Sequence, residues 1–153
     1  MYRFTDGGLR NIWLLNGYVE HKTPYGNGIS FHDLDGLVIA ICHALCTQPG
    51  KLTGVEFRYV RNALLLSQKR FGQLVGYTEQ AVAKWEKSGK VPKAIDLTIR
   101  LLFNERHSPN YKVTPLIETL NALDRTCNTK IIFKEEGSRW TSKVEVEPEP
   151  LAA

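Results

Sequence analysis

Five residues between Glu79 and Lys87 have the types and spacing to read a hydrogen-bonding surface. In the stretch EQAVAKWEKS, Val82 and Trp85 fall three residues apart, on one side of a helix. Glu79, Gln80, Ala83, Lys84 and Lys87 are left on the other side. A carboxylate, an amide and two ammonium groups on one outward face can accept and donate at DNA base edges, and a helix of this size fits the major groove. No Ser-His-Asp set, paired carboxylate or Gly-rich phosphate loop stands out, so the expectation is a binding protein and not an enzyme.

The elements that must hold this face are legible on either side of it. Thr78 caps the helix and Ser88-Gly89 closes it. Before it, Ser67 caps a shorter helix with Gln68, Lys69 and Arg70 in its first turn. Phe71, Leu74 and Val75 form the apolar face of that helix, and Gly76 ends it. Two helices meeting at a glycine turn make a helix-turn-helix. Upstream, Thr53 and Glu56 have capping-box spacing, and Phe57, Val60 and Leu64 form the stripe of a further helix from which Arg58 and Arg61 project elsewhere. Downstream, Pro92 opens PKAIDLTIRLLFNER, with Ile95, Ile99 and Leu102 on one apolar face and Leu97 and Leu101 beginning a second.

Charge singles out the same region. The 153 residues carry a net +4, yet residues 52–106 hold ten Lys and Arg against five Asp and Glu. The flanks are neutral (residues 1–51) and slightly acidic (107–153), so the positive excess coincides with the two-helix motif, as a phosphate-binding surface requires. No apolar run approaches the roughly twenty residues that span a bilayer, and no secretory leader is visible. Three cysteines without framework spacing point to a reducing, cytoplasmic setting. Cys42 and Cys46, one helical turn apart beside His43 and downstream of His32, read as small core residues in preference to metal ligands; no metal and no cofactor is expected.

The flanks predict smaller elements. Ile12–Leu15 and Tyr18–Lys22 surround Asn16-Gly17, a strong hairpin signal. A second turn at Pro24–Gly28 precedes Ile29–Phe31. Asp33 or Asp35 caps a helix with Leu37, Ile41, Ala44 and Leu45 on its apolar face, and Gln48–Lys51 links it to the next. Toward the C-terminus a helix starts at Thr114-Pro115, with Leu116, Leu120 and Leu123 on one side. Strands follow at Lys130–Lys134 and Arg139–Val144 around Glu135–Ser138, and the Pro/Glu-rich tail from Glu145 is expected to be disordered.

The segment from Thr53 to about Glu105 resembles the helix-turn-helix of the XRE (Cro/C1-type, phage-repressor-like) transcriptional regulators. Phe57-x-x-Val60-Arg61, Leu66-Ser67-Gln68, Leu74-x-Gly76 and Val82-x-x-Trp85-Glu86 followed by Gly89 carry the resemblance. The N-terminal block, LRNIWLLNGY…TPYG…FHDLDGL, looks like the front half of longer, antitoxin-like regulators that place a β-rich lobe before this module. The resemblance implies that Gln68 holds a backbone phosphate. It implies that Gln80 and Lys84 face base edges, the amide toward adenine and the ammonium toward guanine, with Glu79 accepting from cytosine and Ala83 leaving room or touching a thymine methyl. Thr78 falls at the start of this surface, and Lys69, Lys87 and Lys90 neutralise phosphates. It also implies that Arg61 pairs with Glu86 as a structural lock.

The expectation is therefore a mainly α fold with small β additions: a helix-turn-helix core (51–106) flanked by an N-terminal β-hairpin/helix lobe (1–50), a C-terminal helix/strand segment that could dimerise (107–144), and a disordered tail (145–153). The expected function is a dimeric repressor reading the major groove of a palindromic operator on double-stranded DNA. It could also be an autoregulating antitoxin. The alternative is a protein-interaction module whose main role is binding a partner toxin, with Trp13, Tyr18 and Trp140 as aromatic anchors.

Overall fold

A computed structural model describes residues 1–107 and 128–147. Among them are six strands, β1 (Tyr2–Phe4), β2 (Ile12–Leu14), β3 (Tyr18–Thr23), β4 (Gly26–Phe31), β5 (Asn128–Glu136) and β6 (Arg139–Glu147). Five helices accompany them: α1 (Leu34–Thr47), α2 (Gly54–Ala63), α3 (Gln68–Val75), α4 (Glu79–Ser88) and α5 (Lys93–His107). This is an α/β fold, which corrects the expectation of a mainly α chain with small β additions. The strand content exceeds the expectation because β5 and β6 run to nine residues each and join one sheet with β2 and with β1, whose three residues are too few for an alternating pattern to register.

The chain forms two units, one from residues 1–41 and 128–153 and the other from residues 42–127. In the first, a four-stranded sheet has the order β1-β2-β5-β6. Its centre is a parallel pair that sets Ile12 beside Ile131 and Leu14 beside Phe133, with antiparallel strands outside. Phe4, Ile12, Leu14, Ile131 and Phe133 are buried and fall on one face by strand alternation. On the other face Trp13 is half-buried, with Lys130 Nζ 4.5 Å and the Arg3 guanidinium 5.7 Å from its ring.

The hairpin expected at Asn16-Gly17 does not form. β2 and β3 belong to different sheets, and β3 pairs instead with β4 across Pro24-Tyr25. The reason is a long-range contact. The Asn16 side chain takes a strand's place against β5, donating to Glu135 O (3.1 Å) and accepting from Glu135 N–H (2.6 Å). Gly17, at φ 82°, then turns the chain away.

The C-terminal strands join the N-terminal sheet and do not form a segment apart. They hinge on a turn with Gly137 at φ 63°. β6 continues through Glu147, so the ordered chain runs past the expected onset of a disordered tail at Glu145. The remainder of that tail and the helix expected from Thr114 lie outside the described residues.

α1 starts as expected, with Gly36 N–H donating to Asp33 Oδ1 (3.0 Å). Leu37, Ile41, Ala44 and Leu45 are buried, as are Cys42 and Cys46. In the second unit Phe57 and Phe71 meet edge to face at 5.3 Å. α5 departs from its expected stripe: Ile95, Ile99 and Phe103 are buried, but so are Asp96, Arg100 and Asn104 on the same side, while Leu97, Leu101 and Leu102 are only half-buried. Asp96 and Arg100 form an ion pair at 2.5 Å with both side chains wholly buried. Arg100 donates to the carbonyls of Cys46, Gln48 and Gly50, and Asp96 accepts from Leu52 N–H. The pair thus tethers the segment 46–52 to α5 and satisfies backbone groups that a buried loop would otherwise leave bare. No helix among the described residues is long and apolar enough to cross a membrane.

Candidate nucleic-acid interface

The seating of α4 begins with its caps. Thr78 Oγ1 accepts from Ala81 N–H (3.1 Å) at its start, and Gly89 takes a left-handed backbone at its end. α3 is delimited in the same way, by Ser67 accepting from Arg70 N–H (3.0 Å) and by Gly76 at φ 81°. The turn between them folds tightly onto α3. Tyr77 N–H donates to Gly72 O (2.8 Å), and a β-carbon at Gly72 would lie 2.6 Å from Tyr77 O. Only glycine fits that crossing.

The inner side of α4 is held by packing and charge together. Val82 is buried, and Trp85 is 8% exposed with Tyr77 edge-on at 4.9 Å. Next to Trp85, Glu86 accepts from two of the three Arg61 guanidinium nitrogens, Nε at 2.7 Å and Nη2 at 2.9 Å. Arg61 Nη1 also donates to Leu66 O (2.7 Å). This is the lock that the resemblance implied, and the side chains are only 7% and 5% exposed. α2 approaches α4 so closely that a β-carbon at Gly54 would collide with Glu86 O. The capping box that starts α2 forms as the spacing predicts: Thr53 Oγ1 accepts from Glu56 N–H (3.1 Å), and Glu56 Oε1 from Thr53 N–H (2.9 Å).

With that side clamped, Glu79, Gln80, Lys84 and Lys87 lie exposed on the other, and Ala83 is half-buried. Thr78, Lys69 and Lys90 are exposed as well. Gln68 is half-buried and donates from its amide to Glu86 Oε1 (3.2 Å), so it belongs in part to the lock. Its carbonyl and second N–H remain for a further partner. Chemically the face offers an amide and two ammonium groups on a rigid, capped helix, flanked by further lysines and Arg70.

One expectation at the site changes. Leu74, expected on the apolar face of α3, is 55% exposed; Phe71 and Gly72 are the buried residues of that helix. In the turn between α2 and α3, Leu65 adopts φ 59° and is 89% exposed. The buried Asp96–Arg100 pair has a visible signal in the sequence, an Asp and an Arg at i and i+4, each directly following an isoleucine of the apolar stripe (Ile95 and Ile99).

Cys42 and Cys46 are buried and unpaired as disulfides. Burial pushes the Cys42 thiol up to about 12 and the Cys46 thiol higher still, with the neighbouring Cys42 as a secondary cause. Such thiols are poor nucleophiles and poor ligands. Among the described residues, no group of three or more His, Cys, Asp and Glu could hold a metal ion. No family model, curated protein or solved structure matches the chain.

Proposed function

We propose that the protein is a sequence-specific DNA-binding regulator of the XRE helix-turn-helix kind, a cytoplasmic dimeric repressor with α4 in the major groove. One observation carries the reading: the apolar and acidic side of α4 is locked to α2 and α3, while Gln80 and Lys84, at i and i+4, stand in solvent on a segment with a localised positive charge. In the bound state Gln80 pairs with an adenine edge and Lys84 donates to a guanine, with Glu79 and Ala83 tuning neighbouring positions. Gln68, Lys69, Thr78, Lys87 and Lys90 contact the backbone and set affinity more than preference. Two copies are needed because one recognition helix covers too few base pairs for useful specificity. Anisotropy of a labelled duplex from the chain's own upstream region tests this. Affinity should fall steeply and log-linearly with salt, and a protein that ignores duplex DNA at low ionic strength would refute the reading.

A second reading is a module that binds a partner protein such as a toxin, and an autoregulating antitoxin would do both. It is favoured by Tyr25, wholly exposed between β3 and β4. Trp13, Tyr18 and Trp140 are half-buried, which suits packing on their own lobe better than anchoring a partner.

A further inference from the structure

The four-stranded sheet ends on β6, and among the described residues no strand pairs with its outer side. The opposite edge, β1, has three residues, whereas β6 has nine. A strand of that length with one side open presents a row of unpaired N–H and C=O groups, a template for one more strand. The core side chains also run out at this edge. Ile131 pairs with Val144 and Phe133 with Ser142, so Val144 and Ser142 lie on the face that holds the core. Ile131 and Phe133 are buried, yet Val144 is 47% exposed and Ser142 is exposed.

The side chains of β6 are complementary to themselves. A two-fold axis normal to the sheet keeps both core faces on one side, so only registers that oppose residues of the same face qualify. With Ser142 opposite Ser142, Trp140 faces Val144, Thr141 faces Lys143 and Arg139 faces Glu145, each twice. These are aromatic–β-branched and opposite-charge pairs, the favourable cross-strand combinations. Centring on Thr141 would set Arg139 against Lys143, and centring on Lys143 would set that lysine against itself. Centring on Val144 would leave Arg139 and Trp140 without an opposite residue inside the strand.

We infer that β6 docks antiparallel on the β6 of a second copy of this chain, with Ser142 at the two-fold axis, joining two four-stranded sheets into one of eight strands. This deepens the dimer of the proposed function by naming its contact, and it rests on that reading only for the dimer's purpose. The contact covers Val144 and satisfies the open backbone edge without using α4.

Sedimentation velocity on the full chain without DNA tests it, together with a crosslink. The wild type should sediment as a species of twice 17.3 kDa. Val144→Arg should weaken the dimer by roughly tenfold or more. Directly opposed residues have Cα atoms about 4.5–5.5 Å apart, within disulfide range. In a Cys127→Ser background, Ser142→Cys should therefore oxidise to a covalent dimer, and Ser138→Cys in the turn should not. A monomeric wild type overturns the inference, as does a dimer indifferent to Val144→Arg that fails to crosslink at Ser142. If Val144→Arg disturbs folding, the crosslink alone decides. Duplex binding measured alongside separates the two readings: a β6-linked dimer that ignores DNA ends the regulator reading only, and a DNA-binding protein without the β6 contact ends this one only.

Discussion

Removing one partner of the Arg61–Glu86 lock should cost more than any surface charge in the chain. Both side chains are over nine-tenths buried, and Glu86 accepts two guanidinium hydrogen bonds at 2.7 and 2.9 Å. Arg61→Ala leaves a buried carboxylate facing only Gln68 and deprives Leu66 O of its donor. Breaking a buried pair in this way costs about 3–5 kcal/mol, a large part of the roughly 5–15 kcal/mol that holds an ordinary domain folded. Glu86→Gln keeps the shape and loses the charge, so it should cost less than Arg61→Ala. The double variant Arg61→Met/Glu86→Leu removes both charges and should be less destabilised than the sum of Arg61→Met and Glu86→Leu, with a coupling of about 2 kcal/mol or more. Urea unfolding followed by circular dichroism gives all the terms. Single variants each within about 1 kcal/mol of wild type, with effects that simply add, would show that packing around Trp85 seats α4 without the ion pair and would refute the reasoning.

Other outcomes follow from the same geometry. Arg100→Met should destabilise by about 3–5 kcal/mol, because it leaves Asp96 buried and unpaired and strips three carbonyls of their donor; calorimetry reads this as a lower melting temperature, and an unchanged one would contradict it. Leu65→Gly should stabilise, since the left-handed backbone costs a β-carbon-bearing residue about 1 kcal/mol and the side chain is almost fully solvated; a lower denaturation midpoint would overturn this. For Cys42 and Cys46 the folded thiols titrate above the unfolded value near 9.0. Their contribution is therefore complete below pH 9 and is lost as pH rises from about 9 toward 12. Between pH 8 and 10 wild type should lose about 2–3 kcal/mol more than Cys42→Ala/Cys46→Ala, and equal losses would show that these thiols ionise freely in the fold.

What the sequence disclosed was the local code. Thr53, Ser67 and Thr78 cap through their own side chains, and Gly76 and Gly89 end helices through their own backbone freedom. Each signal is complete within a few residues, so the framework around α4 and the identity of its outward side could be read directly. The sheet could not. β2 finds its parallel partner β5 more than a hundred residues later, and neither strand's sequence names the other. The Asn16-Gly17 signal failed for a related reason: the Asn16 amide is taken by Glu135, a distant competitor that turn propensity ignores. Burial of Asp96 and Arg100 depends on three carbonyls from another segment, so a helical wheel of α5 alone assigns the pair to solvent.

The central claim is that Gln80 and Lys84 choose the bases. Selection of a random duplex library by the wild type and by Gln80→Ala/Lys84→Ala, at one fixed ionic strength, tests it most directly. The wild type should enrich a two-fold-symmetric motif, and the double variant should keep salt-sensitive binding while losing preference at the contacted positions, each worth about 1–3 kcal/mol. Enrichment of the same motif by both proteins, or of none by the wild type, would contradict the account.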